Sequence, residues 1–294
     1  MRDTRRMRVD EASVPDRLPI RLIVTGAKGG VGATTLSVHL AAELARRGRR
    51  VVLIDAGDPG VGGGDLAAIC RTEEGAEPVL GLADVLSARR TIHEVLRRGP
   101  FGLQVVAHRA AGQPRADVHT IPHSPAQAER FLEQLNTLTG HAEAILVDAG
   151  RASAGFARRL ARAATCWVLV ATPDDLAVMD AYAAIKTLAG ASAEELLPLP
   201  KICLIVNRAA DEESAAIGDR LRRTVQRFLN IAIEIHSAAV PDDPCVLDAG
   251  RTGRPLALQS PRAPAARAIE RLAAVIASPR IAETSSKRKL EFSL

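Results

Sequence analysis

The segment Gly26-Ala27-Lys28-Gly29-Gly30-Val31-Gly32-Ala33-Thr34-Thr35 stands between two patterned runs. Before it lies the β-branched stretch Arg21-Leu22-Ile23-Val24-Thr25; after it, from Thr35 to Leu44, apolar residues recur at helical spacing. A strand that passes through a glycine loop straight into a helix restricts the chain to a parallel-sheet architecture with helices packed on it. The loop keeps nearly every feature of GxxxxGK[ST] except the lysine, because Ala33 occupies that position.

The spacing has a physical meaning. Successive backbone N–H groups of Gly26, Gly29, Gly30, Val31, Gly32, Ala33, Thr34 and Thr35 converge on phosphate oxygens, and the positive end of the following helix dipole points to the same place. Thr34 fills the Ser/Thr position, from which a hydroxyl reaches a magnesium ion bridging the outer phosphates. The pattern therefore predicts a site for ATP with Mg2+.

Alternation along the chain agrees with this frame. Strand-like apolar runs fall near residues 20–25, 51–54, 103–107, 144–148, 166–171, 202–206 and 232–240. Helical patterns occupy 34–47, 126–139, 152–164, 175–189, 212–229 and 263–277, three of them closed by Gly48, Gly140 and Gly190. The expected fold is α/β: a single P-loop NTPase domain over 20–280, with a mostly parallel sheet and helices on both faces. A flexible basic arm over 1–19 and a polar tail over 281–294 flank it. Ala111 to Pro125, with three prolines, reads as a surface loop.

A chain of 294 residues, 47% hydrophobic, buries a core large enough for one such domain. Cys70, Cys166, Cys203 and Cys245 show no CxxC spacing, which predicts reduced thiols rather than a metal site or disulfides. No signal-peptide pattern and no run of transmembrane length is present, so a cytoplasmic location is expected. The net charge of +5 is modest and carried by arginines scattered over helical faces, and aromatic residues are only 2%; neither predicts a dedicated nucleic-acid surface, and nonspecific DNA binding is not expected.

Lys28-Gly29-Gly30-Val31-Gly32-x-Thr34-Thr35 resembles the deviant Walker A loop of the MinD/ParA-type ATPases. Arg50-Val51-Val52-Leu53-Ile54-Asp55 is similar to the second strand and switch I aspartate of that family, and Ala144 through Asp148 to Gly150 to its Walker B and switch II segment. The stretch from Val168 through Thr172-Pro173-Asp174-Asp175 to Lys186 resembles a signature of the flagellar FlhG/FleN/YlxH branch. Leu204-Ile205-Val206-Asn207-Arg208 and Ala239-Val240-Pro241-Asp242-Asp243 add to the likeness, which covers about residues 20 to 280.

The resemblance implies roles. Lys28 reaches the nucleotide of a partner subunit in an ATP-dependent homodimer; Asn207, Arg208, Pro241 and Asp242 lie beside the base; Thr34, Asp55 and Asp148 hold magnesium. The catalytic set is Lys28, Asp55, Asp58 and Asp148. The family carries Asp-x-Asp at switch I, whereas this chain reads Asp55-Ala56-Gly57-Asp58. Two readings stay open here: Asp58 positions the attacking water, or Asp58-Pro59-Gly60 is an acidic turn.

Ala33 removes a charge-assisted hydrogen bond worth about 1.5–3 kcal/mol, a tenfold to hundredfold change in affinity. Chemistry suffers more, since losing one preorganised donor slows it by about a hundredfold to a thousandfold. ATP binding with slow or lost hydrolysis is the expectation. The resemblance points to a dimerising switch regulating flagellar number or placement, its partner an FlhF-like GTPase or another flagellar assembly protein. A scaffold of the CpaE/TadZ kind for polar pilus or secretion assembly, or a ParA-like DNA-binding partition ATPase, is the alternative. Asp10-Glu11-Ala12 with Arg17-Leu18 is a degraded echo of the family's partner-activating motif, interrupted by Pro15, and Lys287 to Leu294 joins basic charge to three apolar residues, enough only for weak peripheral contact with a membrane surface.

Overall fold

The computed structural model describes residues 19–57, 66, 70, 80–108, 124–151, 159–160, 163–194, 199–231, 233 and 235–278. Among these, eight strands form one sheet: β1 (Ile20–Gly26), β2 (Val51–Asp55), β3 (Arg97–Arg98), β4 (Gln104–Val106), β5 (Ala144–Asp148), β6 (Cys166–Ala171), β7 (Lys201–Asn207) and β8 (Ile235–Val240). Their order is β3-β4-β2-β5-β1-β6-β7-β8, and every pairing is parallel except β3 with β4. The central strands are uniformly buried, which is why β2, β5 and β6 read as continuous apolar runs instead of alternating ones.

The described helices are α1 (Ala33–Arg46), α2 (Leu82–Leu86), α3 (Pro125–Thr137), α4 (Ala177–Glu194), α5 (Asp211–Leu229), α6 (Pro244–Thr252), α7 (Leu256–Gln259) and α8 (Pro264–Ile276). Two apolar cores result, one on each face of the sheet. The first gathers Phe131, Leu135, Ile185, Leu221 and Val225 from α3, α4 and α5; the second gathers Leu36, Leu40, Leu44, Ile269 and Leu272 from α1 and α8. The doubly covered α/β domain expected from the alternation is therefore present.

Local differences have local causes. The helix expected to stop at Gly190 runs on to Glu194, because alanines on both sides outweigh the roughly 1 kcal/mol that one interior glycine costs. Pro125 does not belong to a loop: it opens α3, where a missing N–H costs nothing, and Ser124 caps that helix by accepting from the Gln127 N–H at 3.1 Å. Residues 111–123, most of the 152–164 helix, the arm before residue 19 and the tail after residue 278 lie outside the described residues. The short β3 and helices α2, α6 and α7 escape a periodicity reading because two to nine residues hold too few turns to show a period.

The α1 face is also tied down by charge. Glu43, almost fully buried, accepts from Arg46 at 2.7 Å and Arg47 at 2.8 Å, and both arginines reach Glu270 on α8. Burial would raise the Glu43 pKa, but the two guanidinium groups outweigh it and hold the carboxylate below its ordinary range.

Candidate functional site

At the carboxyl edge of the sheet, β1 ends at Gly26 and α1 starts at Ala33, leaving six residues to turn. Two glycines make that turn possible. A Cβ on Gly26 would stand 2.7 Å from the Lys28 carbonyl oxygen, and Gly32, at φ 89°, is left-handed with its Cα facing Asn207. A Cβ on Gly32 would meet the Asn207 Nδ2 at 2.5 Å. No side chain caps α1, so its first turn presents its N–H groups into the loop. Ala33 is buried in the core under α1.

Strand register assembles the acidic residues. Parallel pairing sets Asp55 opposite Asp148 across β2 and β5, and Val24 opposite Asp148 across β1 and β5, so both carboxylates end their strands beside the glycine loop. Asp148 is 1% exposed. Its Oδ1 accepts the Gly150 N–H at 3.1 Å, while Oδ2 is buried with no hydrogen-bond partner. Burial pushes the Asp148 pKa up, offset in part by the Thr34 hydroxyl and the Gly150 N–H. Asp55 accepts from Gly57 N–H at 3.3 Å and Leu66 N–H at 3.4 Å. Thr34, Asp55 and Asp148 thus form a set of hard oxygen donors with one carboxylate oxygen left unsatisfied away from water. That chemistry fits Mg2+. Asp58 lies outside the described residues.

Lys28 is held within its own subunit. Its Nζ donates to Asp174 Oδ2 at 2.6 Å and lies 3.6 Å from Asp180 Oδ2. Asp174 is itself ordered, accepting the Thr172 hydroxyl at 2.7 Å and the Leu176 N–H at 3.1 Å. The hydrogen bond to Asp174 raises the Lys28 pKa, and the same ammonium, followed by Thr172, lowers that of Asp174. The sequence placed Asp174 and Asp180 in a signature segment without assigning either a partner; opposite charge at a loop known to hold a lysine was the available signal.

Asn207 ends β7 and donates from Nδ2 to the Val31 carbonyl at 2.9 Å, clamping the glycine loop. Arg208 follows in a left-handed conformation, φ 59°, with its side chain exposed. Register between β7 and β8 sets Asn207 opposite Val240, so Pro241 and Asp242 emerge on the same edge. Their neighbour Asp243 belongs to the same run in the sequence, which gives it no role of its own. It is buried and joins two helix starts, accepting the Cys245 N–H of α6 at 2.9 Å and the Ala265 N–H of α8 at 3.0 Å.

The match to known proteins is broad. Residues 22–256 fit the family described as the CobQ/CobB/MinD/ParA nucleotide binding domain. The antiactivator FleN of Pseudomonas aeruginosa is 31% identical over 257 residues, 87% of this chain and 85% of that protein. The flagellum site-determining protein YlxH of Helicobacter pylori is 27% identical over 217 residues, 73% of this chain and 67% of that one. Among solved structures, the septum site-determining protein MinD of Pyrococcus horikoshii, complexed with Mg-ADP, superposes with a TM-score of 0.66 at 20% identity, covering 88% of this chain and 96% of its own. That last likeness concerns the fold.

Proposed function

This chain belongs to the CobQ/CobB/MinD/ParA nucleotide-binding family, and from that membership we propose that it is an ATP-dependent dimerising switch that regulates flagellar number or placement. The likeness to FleN and YlxH supports the flagellar assignment. The observation that carries the nucleotide reading is the convergence of the glycine loop, Thr34 and the unsatisfied Asp148 Oδ2 at one edge of the sheet.

In this reading, backbone amides of residues 26–35 hold the phosphates, and Thr34, Asp55 and Asp148 hold Mg2+. The metal would neutralise charge on the phosphate oxygens. Asn207, Arg208, Pro241 and Asp242 flank the base, with Asn207 linking the base side to the loop through Val31. Lys28 leaves Asp174 and crosses to the partner subunit when two copies close. Asp58 orders water. With Ala33 in the loop, the donor that would follow charge onto the transferring group is absent in cis, so hydrolysis is weak and the ATP-bound dimer long-lived. The dimer would present a surface to an FlhF-like GTPase or another flagellar assembly protein, working in the cytoplasm or at the inner face of the membrane. No described helix is long and apolar enough to cross a membrane.

Calorimetry with Mg-ATP and Mg-ADP, followed by light-scattering mass in each state, tests the proposal. Micromolar to millimolar binding and a doubling of mass with ATP are the expected outcomes. Absence of binding to either nucleotide would remove the switch.

A further inference from the structure

Beyond the glycine loop, a cleft of about 340 Å³ opens at the outer edge of the sheet, past the end of β8. Its walls are the start of α5 (Ala209, Ala210, Asp211) and the start of α8 (Pro264), with Pro241 between them. Three arginines line it: Arg262, which precedes α8, and Arg267 and Arg271, one helical turn apart on the same face of α8. No residue from 26 to 35 contributes to it.

Several described arginines are engaged in ion pairs: Arg46 and Arg47 with Glu43, Arg49 with Glu143, Arg89 with Asp84. The cleft arginines, among the described residues, have neither an ion pair nor a side-chain hydrogen bond. Glu270, the carboxylate nearest in sequence, is turned toward Arg46 at 3.1 Å. Asp211 lines the cleft yet lies beyond ion-pair distance of all three guanidinium groups. Like charges one turn apart repel. An oxyanion entering between them relieves that repulsion, and the planar guanidinium fork suits phosphate oxygens better than a point charge does.

We propose that this cleft binds a compact, multiply charged phosphate anion, at a site separate from the glycine loop. Shape and charge favour a compact ligand over an extended polyanion. Exposed Asp211 lines the cleft itself, and the exposed Glu212, Glu213 and Asp242 adjoin lining residues in the sequence, so an extended polyanion running along these segments meets negative charge that a small anion held by the arginines does not. Pro241 is shared between the cleft and the loop expected beside the base, so occupancy of the cleft alters nucleotide affinity through that loop.

Sodium triphosphate is the probe, titrated calorimetrically into the full chain with and without saturating Mg-ADP. With Mg-ADP filling the glycine loop, one equivalent is expected to bind, more weakly as salt rises. The R267Q/R271Q double variant should weaken that binding by about a hundredfold and R267K/R271K by less. Both arginine side chains are exposed, and an unaltered melting temperature checks that the double variants fold. No binding once Mg-ADP fills the glycine loop, or binding insensitive to the glutamine substitutions, overturns the proposal. So does tighter arginine-dependent binding of a short DNA duplex or of phosphatidylglycerol vesicles than of triphosphate.

Discussion

The Lys28 ammonium sits 2.6 Å from the Asp174 carboxylate of its own subunit, fastening the start of the glycine loop to the entrance of α4. If Lys28 serves a partner's nucleotide, this contact must open first, and dimerisation then competes with an intramolecular ion pair. Asp174→Asn weakens the cis contact while keeping the Thr172 partner, so dimers should form at lower ATP concentration than in the parent chain. Lys28→Ala should abolish ATP-induced dimers while leaving monomer binding nearly intact. Light scattering with a non-hydrolysable ATP analogue reads both; an unshifted midpoint in Asp174→Asn means that the pair does not restrain Lys28.

Restoring the loop lysine is the direct test of phosphate binding. Ala33→Lys should tighten Mg-ATP by about tenfold to a hundredfold, since one charge-assisted donor returns. Ala33 is buried, so the variant carries some packing cost, and affinity should be measured where the melting curve shows the chain folded. Equal affinity in the two chains would dissociate the loop from the phosphates.

Asp148 carries opposing demands. Its Oδ2 is buried without a partner, so the charge destabilises the empty protein while providing a metal ligand. Asp148→Asn should therefore raise the melting temperature of the nucleotide-free chain and remove the extra stabilisation that Mg2+ adds to bound nucleotide. Magnesium-dependent stabilisation that survives the change would assign the metal to other ligands.

His39 makes stability depend on pH. It is almost completely buried in α1, its Nδ1 accepts the Leu256 N–H at 3.3 Å, and burial depresses its pKa from 6.5 to about 4. The unfolded chain takes up a proton near pH 6.5 and the folded chain does not until about pH 4. Stability is thus full above pH 6.5 and declines as pH falls toward 4, by about 3 kcal/mol in all. Denaturation midpoints across that window should show a shallower slope in His39→Gln, which keeps an acceptor for Leu256 and cannot titrate.

Asp243 secures two helix starts with one carboxylate. Asp243→Ala leaves the N–H groups of Cys245 and Ala265 without their acceptor and should cost about 2–4 kcal/mol, whereas Asp243→Asn, which keeps one carbonyl acceptor, should cost less. Urea denaturation distinguishes the two; equal losses would show that the charge, not the acceptor geometry, matters.

Much of the architecture was legible before any coordinates because burial writes itself into a parallel sheet. Strands such as Ala144–Asp148 and Cys166–Ala171, covered on both faces, must be continuously apolar, and Asp55 and Asp148 stand out as the polar residues that end such runs. The glycine loop was equally plain, since Gly26 and Gly32 occupy positions where a Cβ would collide. Sequence alone determined the layer architecture, the loop and the aspartates at its rim.

What it left undecided depends on residues far apart in the chain. Asp174 lies 146 positions from Lys28, Asn207 176 from Val31, and Ala265 22 from Asp243, so no local period or spacing records those pairings. They arise because parallel strands bring successive βα turns to the same edge, β7 beside β6 beside β1, where side chains from separate turns first come within hydrogen-bonding reach. Only the tertiary structure decided that Lys28 is fastened in cis, that Asn207 clamps the loop, and that three arginines around α8 line one cleft with no ion pair among the described residues.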